Sequence, residues 1–330
     1  IHSSLCRTQR SFYLFSILMQ RKFLTYCVIF FIPVIVGYMV MEYLSMGVPS
    51  TFIGNKEYLS KEKDNFQYLV LGSSQMQSAV NPEWIDTPTL NLASGDQHHD
   101  TDFKLLKGIQ KRLPQLKRVI LEVSYSHFEL PHNGKDFWKN NLYNYYYNIN
   151  CFERRTYFKD RLLYLSNPKV YSRNIYDHFI EKKSGVVVND FGFNSNNYQG
   201  QFANLGHDED KIARMRLFKI NREPNLQIFE KNTRLFNEFL EYLKASNLEV
   251  VICKIPMYKT YHQRKHPDIL RRRDSVLEVA LQKYSNLHLL DLETDTLHYE
   301  VNDYWNQSHL NPKGAKKFTD TLNSFLQEIR

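Results

Sequence analysis

The segment LGSSQMQSAVNP, residues 71–82, decides the fold because it converts a short apolar run into a polar one. Residues 68–71 are almost entirely apolar, which is typical of a buried strand. Gly72, Ser73 and Ser74 then end that strand abruptly. A structural turn produces this pattern, and so does a nucleophile held at the end of a strand, so features elsewhere in the chain must distinguish the two.

Strand-like and helix-like patterns alternate through the rest of the chain. Strands are predicted at residues 68–71, 90–93, 118–123, 249–256 and 287–292. Helices are predicted at residues 101–113, 235–243 and 273–283 and near the C-terminus, where Ala315, Phe318, Leu322, Phe325 and Ile329 share a face. Continuous apolar strands such as RVILEV are typical of parallel sheets. We therefore predict a three-layer α/β/α fold around a mainly parallel, five-stranded sheet.

About residues 126–228 interrupt this alternation. The segment is rich in Asn and Tyr, as in NNLYNYYYNINCFERRTYF, and shows no internal repeat. One interpretation is an insertion that shapes a functional site, because binding and catalytic loops gather at one end of such sheets. The other is a mixed helical subdomain with surface aromatic residues.

The N-terminal region predicts a membrane anchor. Residues 24–41 carry no charge, and residues 23–44 reach the ~20 residues that a helix needs to cross a bilayer. The remaining divisions are a tail at 1–22, a polar tether at 45–65 and a folded domain at 66–330. A signal peptide is the main alternative, but the apolar run is long and no small-residue cleavage motif follows it. A core helix of a soluble cytoplasmic enzyme is a further alternative.

Charge around this apolar run predicts its orientation. Basic residues precede it, namely Arg7, Arg10, Arg21 and Lys22, whereas Glu42 and a neutral stretch follow. The positive-inside rule then keeps the N-terminus in the cytoplasm and places the domain outside it, in the periplasm of a bacterial cell.

Composition narrows the function classes. Hydrophobic residues make up 42% of the 330 residues and charged residues 24%, as in an ordinary globular protein. The net charge is +8, and the run Arg271–Arg272–Arg273 is expected on a solvated helix face rather than against an anionic partner. There is no glycine-rich phosphate loop and no basic-aromatic pattern, so nucleic acid is not an expected partner.

Cysteine and histidine spacing does not indicate a metal site. Cys6, Cys27, Cys151 and Cys253 lack metal-ligand spacing. Cys253 is expected in the core, and its pairing with Cys151 in an oxidising compartment stays open. In His98-His99-Asp100 we expect the aspartate to cap the following helix rather than the group to bind a metal.

One histidine lies where it can activate the serine. His309 falls in DYWNQSHLNPKGA, residues 303–315, just before the last predicted helix. A serine hydroxyl is a weak nucleophile unless a histidine takes its proton. Ligands of open parallel sheets bind beyond the carboxyl ends of the strands. We therefore predict that Ser74 and His309 meet there as nucleophile and general base.

These residues resemble the motifs of the SGNH/GDSL hydrolase superfamily, and the resemblance spans about residues 66–330 apart from the insertion. The family's GDS tripeptide matches Gly72-Ser73-Ser74, and its Asp-x-x-His motif falls on residues 306–309. Its oxyanion-binding glycine matches Gly95. The resemblance implies that Ser74 is the nucleophile, with Ser73 and Gln97 also beside the substrate.

Two positions depart from the family pattern. Asn306 stands where the family has the aspartate, so either Asp303 orients His309 or the histidine works in a dyad oriented by a carbonyl. The family's second oxyanion donor is an asparagine after the third strand, and Ser124 is the residue nearest to that place. Loss of one such donor costs ~3 kcal/mol in better-studied hydrolases.

The trailing HLNPKGA is similar to that of membrane-anchored members associated with acylation of envelope polymers. The resemblance implies a serine esterase or O-acyltransferase acting on acyl groups, acetyl first among them, of a cell-envelope polysaccharide. Expected partners are that polysaccharide, membrane lipid around the N-terminal helix and a multispanning membrane acyltransferase, with no cofactor or metal. The alternative is a catalytically degenerate domain that binds glycan or scaffolds such an acyltransferase.

Overall fold

The computed structural model of the chain describes residues 2–183, 185–215 and 220–329, with side chains in the first helix described from residue 17 onward. The predicted roles of Cys6, Arg7 and Arg10 therefore lie outside the described side chains. The chain forms two compact units. One comprises Ile1–Val48 and Leu162–Lys183, and the other comprises Pro49–Arg161 and Ser184–Arg330.

A five-stranded parallel sheet forms the centre of the larger unit, which confirms the predicted fold class. Its strands are β1 (Tyr68–Leu71), β2 (Thr89–Asn91), β3 (Arg118–Glu122), β4 (Glu249–Lys254) and β5 (Leu287–Asp291). Their order across the sheet is β2-β1-β3-β4-β5, and every neighbouring pair is parallel. Since the chain leaves β1 toward β2 on one side and later returns to β3 on the other, a crevice opens beyond the carboxyl end of β1.

Helices flank this sheet, and two further short strands precede the last helix. The α-helices of the described residues are α1 (His2–Gly47), α2 (Thr51–Glu62), α3 (Ser74–Ala79), α4 (His99–Ile109), α5 (Lys139–Tyr147), α6 (Leu163–Ser166), α7 (Pro168–Ile175), α8 (Gln201–Asn204), α9 (Glu209–Arg214), α10 (Leu226–Ala245), α11 (Lys259–His262), α12 (Pro267–Lys283) and α13 (Pro312–Glu328). Strands β6 (Tyr304–Asn306) and β7 (His309–Leu310) form a separate antiparallel pair.

The last helix, α13, is hydrogen-bonded to the end of α3, the helix that follows β1. In α13, Ala315, Phe318 and Leu322 are buried as predicted. On the same helix the Thr319 hydroxyl donates to the carbonyl of Ala79 at 3.0 Å and accepts from the Asn81 amide at 3.2 Å. These two bonds hold the C-terminal end of the chain against the segment that follows β1.

The helix after β2 begins earlier than predicted. Helix α4 starts at His99 with His98 as its N-cap, and Asp100 lies inside its first turn. The expected capping role of Asp100 is therefore wrong. Its carboxylate still lies in the first turn, where a negative charge interacts favourably with the helix dipole.

The predicted polar tether at 45–65 is also wrong over most of its length. Residues Thr51–Glu62 form α2, which buries Phe52, Tyr58 and Leu59. The Phe52 ring stacks on Tyr147 at a centroid distance of 5.6 Å. The buried residues are spaced at helical intervals among polar ones, and this spacing lets one face of a polar-looking segment pack against the domain.

The smaller unit is dominated by α1. This helix is continuous, so the predicted tail and span form one element, and Ile17–Gly47 is long and apolar enough to cross a membrane. Near its end the Glu42 carboxylate accepts hydrogen bonds from the backbone amides of Leu163 and Tyr164, at the start of α6. A carboxylate there binds amides that the helix leaves unpaired.

The arginine run on α12 is not a solvated face, contrary to the sequence-based expectation. Arg271 is exposed, but Arg272 bonds to Glu129 and the Arg273 side chain is 1% exposed. Arg273 binds both carboxylate oxygens of Glu293, at 2.8 and 2.9 Å. Burial alone would raise the pKa of Glu293, yet Arg273 and the nearby Lys265 lower it to about 2.

Cys151 and Cys253 are both buried with free thiols, so the structure contains no bond between them. Cys253 lies in β4 within the core, as predicted.

The ion pair yields a stability prediction. Arg273→Met should lower the free energy of unfolding by about 3 kcal/mol, because it leaves a buried carboxylate without its bidentate partner. Chemical denaturation of the detergent-solubilised chain at neutral pH measures this. Arg271→Met is the matched control and should change it by less than ~0.5 kcal/mol. Equal effects of the two substitutions would contradict the assignment.

Candidate active site

The structure brings together the two residues that the sequence singles out. Ser74 is the first residue of α3, directly beyond the carboxyl end of β1, and His309 begins β7. The Ser74 Oγ lies 2.8 Å from the His309 Nε2, although 235 positions separate them along the chain. Both side chains are partly exposed, so a ligand can reach the pair.

A tight hairpin presents the histidine. Strands β6 and β7 pair Asn306 with His309, and Gln307 and Ser308 form the turn between them. The sequence predicted only a loop here, because strands of three and two residues are too short to show a period. The hairpin explains why an Asp-x-x-His spacing works, since it places the first and fourth residues side by side.

Asn306 takes the position of the family's aspartate. Its Oδ1 accepts a hydrogen bond from the Ser308 backbone amide at 2.9 Å and lies 3.0 Å from the His309 Nδ1. A backbone amide only donates, so this bond fixes which end of the Asn306 side chain faces the histidine. The His309 Nδ1 therefore carries the proton, and its Nε2 is left to accept from the Ser74 hydroxyl.

Asp303 does not replace the missing aspartate. Its carboxylate binds Lys317 at 2.6 Å, Lys313 at 3.3 Å and the backbone amide of Glu300 at 2.9 Å. It thus fixes the loop before β6 to the start of α13. The hypothesis that Asp303 orients the histidine is wrong, because Asn306 holds that position and the carboxylate is bound to two lysines.

Burial lowers the pKa of His309 to about 4. An ordinary histidine has a pKa near 6.5 and is partly charged in mildly acidic solution. The group beside the His309 Nδ1 is a neutral amide, which offsets the cost of burying the imidazolium less than a carboxylate would. At neutral pH the imidazole is therefore uncharged and able to take a proton.

The turn that carries Ser74 is built around a buried carboxylate that the sequence analysis missed. Glu122, at the end of β3, accepts from the Ser73 amide at 2.8 Å, the Ser73 hydroxyl at 2.9 Å and the Met76 amide at 3.2 Å. Gly72 lies against it with a φ of +144°, and a Cβ there would fall 2.7 Å from the Glu122 Cβ. Only glycine fits this position. The available signal was a charged residue inside the apolar run RVILEV.

Ser73 is therefore a structural residue and does not face a substrate, contrary to the sequence-based prediction. Its hydroxyl binds Glu122 and also accepts from the Gln75 amide, which caps α3. Burial raises the pKa of Glu122 to about 7, against the opposing effect of the Ser73 hydrogen bonds. This carboxyl group fixes the direction in which α3 leaves the sheet.

The Gly95 backbone lies close to the Ser74 side chain. A Cβ built on Gly95 would lie 3.7 Å from the Ser74 Cβ, so the glycine backbone passes close to this serine. Among the described residues, neither the Gly95 nor the Ser74 backbone amide makes a hydrogen bond within the chain. Backbone amides without a partner beside a reactive serine are the kind of donor that binds an oxyanion in such sites.

Two other predicted ligand-binding residues are engaged elsewhere. The Ser124 amide and hydroxyl lie 2.8 and 2.9 Å from the His127 Nδ1. Gln97 is fully buried, donates to Asp102 and accepts from the Tyr143 hydroxyl, each at 2.7 Å. The predicted substrate contact of Gln97 is therefore wrong, and Ser124 does not supply the second side-chain donor to the oxyanion.

The histidines near the site form a packed cluster. The His99 and His127 rings stack at a centroid distance of 4.6 Å, and the His99 Nε2 donates to the carbonyl of Glu122. Burial lowers the pKa of both rings. Within residues 2–183, 185–215 and 220–329, no group of three or more His, Cys, Asp or Glu side chains is arranged to hold a metal ion.

No protein-family model matches the chain, and no curated protein matches it in sequence. A crystal structure of a proposed acylhydrolase from Bacteroides fragilis NCTC 9343 aligns with 82% of this chain and 93% of its own, at 8% identity and a TM-score of 0.38. One of a GDSL-like lipase from Bacteroides thetaiotaomicron VPI-5482 aligns with 82% and 88%, at 9% identity and a TM-score of 0.36. In this chain Ser74 lies directly beyond the carboxyl end of β1, whose neighbours in the parallel sheet are β2 and β3.

The neutral partner of His309 has a measurable consequence. The rate at which Ser74 reacts with a fluorophosphonate, a serine-directed reagent, should stay constant at neutral pH and fall only near pH 4, where His309 becomes protonated. Asn306→Asp should raise the pKa of His309 by about 1–2 units, because a carboxylate favours the imidazolium. The fall in rate should then occur at correspondingly higher pH.

Asn302→Asp, at an exposed position of the same loop, is the control and should leave the profile unchanged. An unshifted midpoint in the Asn306→Asp chain would show that Asn306 does not set the protonation of His309.

Proposed function

We propose that the chain is a membrane-anchored, extracytoplasmic serine esterase or O-acyltransferase that acts on acyl groups, acetyl foremost, of a cell-envelope polysaccharide. The observation that carries the proposal is the 2.8 Å contact between the Ser74 Oγ and the His309 Nε2. The two free amides beside the serine and the burial of the histidine support it further.

In the first half-reaction, the Ser74 Oγ attacks the carbonyl carbon of the acyl ester, and its proton passes to the His309 Nε2. The carbonyl oxygen becomes an oxyanion beside the Gly95 and Ser74 amides. The bond from carbon to the sugar oxygen then breaks, and His309 returns the proton to that oxygen as the alcohol leaves. The acyl group remains as an ester on Ser74.

In the second half-reaction, water or a second sugar hydroxyl attacks the acyl-serine. His309 takes the proton of that nucleophile, and the Ser74 oxygen leaves and regains it. Water gives a free acid, and a sugar hydroxyl gives a new ester. The same groups serve both outcomes, and access of the acceptor determines which one follows.

The amide at Asn306 makes the site weaker than one with a carboxylate but leaves it competent. In serine proteases, replacing the triad aspartate by asparagine lowers kcat about 10⁴-fold, largely because the histidine takes the wrong tautomer. Here the Ser308 amide holds the Asn306 oxygen toward the His309 Nδ1, which preserves the productive tautomer. A neutral amide at Asn306 lacks the charge with which a carboxylate at that position stabilises the imidazolium.

A second candidate function is a catalytically degenerate domain that binds glycan or scaffolds a multispanning membrane acyltransferase. The neutral Asn306 and the engagement of Ser124 with His127 favour it. Tyr145, half-buried on α5, is an aromatic ring that a sugar could pack against.

The esterase proposal predicts specific labelling. The detergent-solubilised chain should bind one equivalent of a fluorophosphonate probe and hydrolyse p-nitrophenyl acetate. Ser74→Ala should abolish both, and Ser78→Ala, four positions later on α3, should leave both unchanged. Absence of labelling in the unmodified chain would favour the binding domain, and labelling that survives in the Ser74→Ala chain would exclude Ser74 as the nucleophile.

The proposed anchor rests on the apolar stretch Ile17–Gly47, in which most side chains between Leu18 and Val40, including Ile29 and Phe30, are exposed. Exposed apolar side chains along a whole helix favour contact with lipid. The basic flank of Arg21 and Lys22 favours an N-terminus in the cytoplasm.

After expression in a bacterial host, the full chain should stay in the membrane pellet during carbonate extraction at alkaline pH. A chain that lacks residues 1–44 should appear in the supernatant. Release of the full chain by carbonate would contradict a spanning helix.

A further inference from the structure

The site lacks the second side-chain donor to the oxyanion, and a lysine from the interrupting segment lies next to the gap. Lys139 is the first residue of α5, far along the chain from β1 and from the hairpin. Its Nζ donates to the Gly95 carbonyl oxygen. No motif marks this residue, because its position beside Gly95 results from packing of the segment after β3.

The space that Gly95 leaves open is bordered by the Ser74 side chain and by the Lys139 ammonium group. A Cβ built on Gly95 would lie 3.1 Å from the Lys139 Nζ and 3.7 Å from the Ser74 Cβ. The missing side chain therefore marks a small gap with the serine on one side and a cation on the other. For Lys139 to act on the reaction, the oxygen of an acyl carbonyl attacked by Ser74 must enter this gap.

The charge of Lys139 is only weakly neutralised by the protein. Its side chain is 12% exposed, and its carboxylate partner among the described residues, Asp96, is 3.7 Å away and 75% exposed. The Trp138 ring lies 5.5 Å from the ammonium. Burial lowers the pKa of Lys139, with Asp96 opposing that effect. A buried cation whose partner is largely exposed to solvent gains from a negative charge that forms beside it.

We propose that Lys139 is a catalytic residue whose ammonium group stabilises the tetrahedral oxyanion in the place of the donor that Ser124 does not supply. The inference rests on the proposed function. Lys139 stays protonated through both half-reactions: it donates a hydrogen bond to the oxyanion and transfers no proton. The bond to the Gly95 carbonyl holds the lysine and the oxyanion-binding backbone in fixed relation.

The inference makes the insertion a part of the active site, because the segment after β3 then supplies a group that acts on the reacting atoms. It also explains how the site tolerates the missing second donor to the oxyanion. A full positive charge near the oxyanion offsets the loss of a neutral amide donor, which leaves the hydrolytic geometry intact.

The test compares Lys139→Met, Lys139→Arg and Lys135→Met in the detergent-solubilised full chain. Lys135 is exposed and lies in the same segment, so its substitution is the matched control. Hydrolysis of p-nitrophenyl acetate is measured from mildly acidic to alkaline pH, with thermal unfolding as the check on folding. Lys139→Met should lower kcat about 10²-fold with little change in KM, and Lys139→Arg should restore most of it.

The pH profile separates catalysis from a structural role. Activity of the unmodified chain should fall at alkaline pH as Lys139 loses its proton, and the residual activity of Lys139→Met should lack that fall. A kcat within twofold of the unmodified chain, a change in KM alone, or a loss of kcat that leaves the alkaline fall in place would each overturn the role of Lys139. An unmodified chain with no Ser74-dependent hydrolysis would instead overturn the proposed function, and the inference with it.

Discussion

The hydrogen bond between the Ser74 hydroxyl and the His309 imidazole is the contact on which the rest of the site depends. Two segments near opposite ends of the domain must meet, and the sheet makes this possible. With β1 between β2 and β3, the chain opens a crevice at its carboxyl end. Thr319 then fastens α13 to the backbone that follows α3, which holds the hairpin above that crevice. Proton transfer between residues so distant in sequence therefore relies on the packing of the last helix.

Buried polar groups set the finer geometry. Glu122 fixes the turn after β1 by accepting hydrogen bonds from the Ser73 and Met76 amides. Asn306 orients the His309 imidazole through its Nδ1. Neither group has to touch a substrate. Each does what packing alone does poorly, because hydrogen bonds fix direction whereas apolar contacts fix only distance. The neutral amide at Asn306 gives His309 the correct tautomer and leaves its pKa low. It does not supply the attraction that a carboxylate would offer to the imidazolium.

Local patterns in the sequence predicted the sheet and the serine–histidine pair. Strands of continuous apolar residues and a histidine before an amphipathic helix are visible without a structure. Glu122 and Lys139 were missed because their environment comes from segments distant in the chain. Arg273 was misjudged for the same reason: a basic run predicts solvent until a buried carboxylate such as Glu293 is known to face it. Helix α2 was missed because its apolar face is narrow and its other residues are polar.

The hairpin of β6 and β7 makes the length of one turn more important than its composition. Asn306 and His309 lie opposite each other only while two residues separate them. Side chains alternate between the faces of a strand, so one residue gained or lost there would send the imidazole to the other face. Substitutions at Gln307 alter a single side chain, whereas a one-codon insertion or deletion would separate the histidine from the serine altogether.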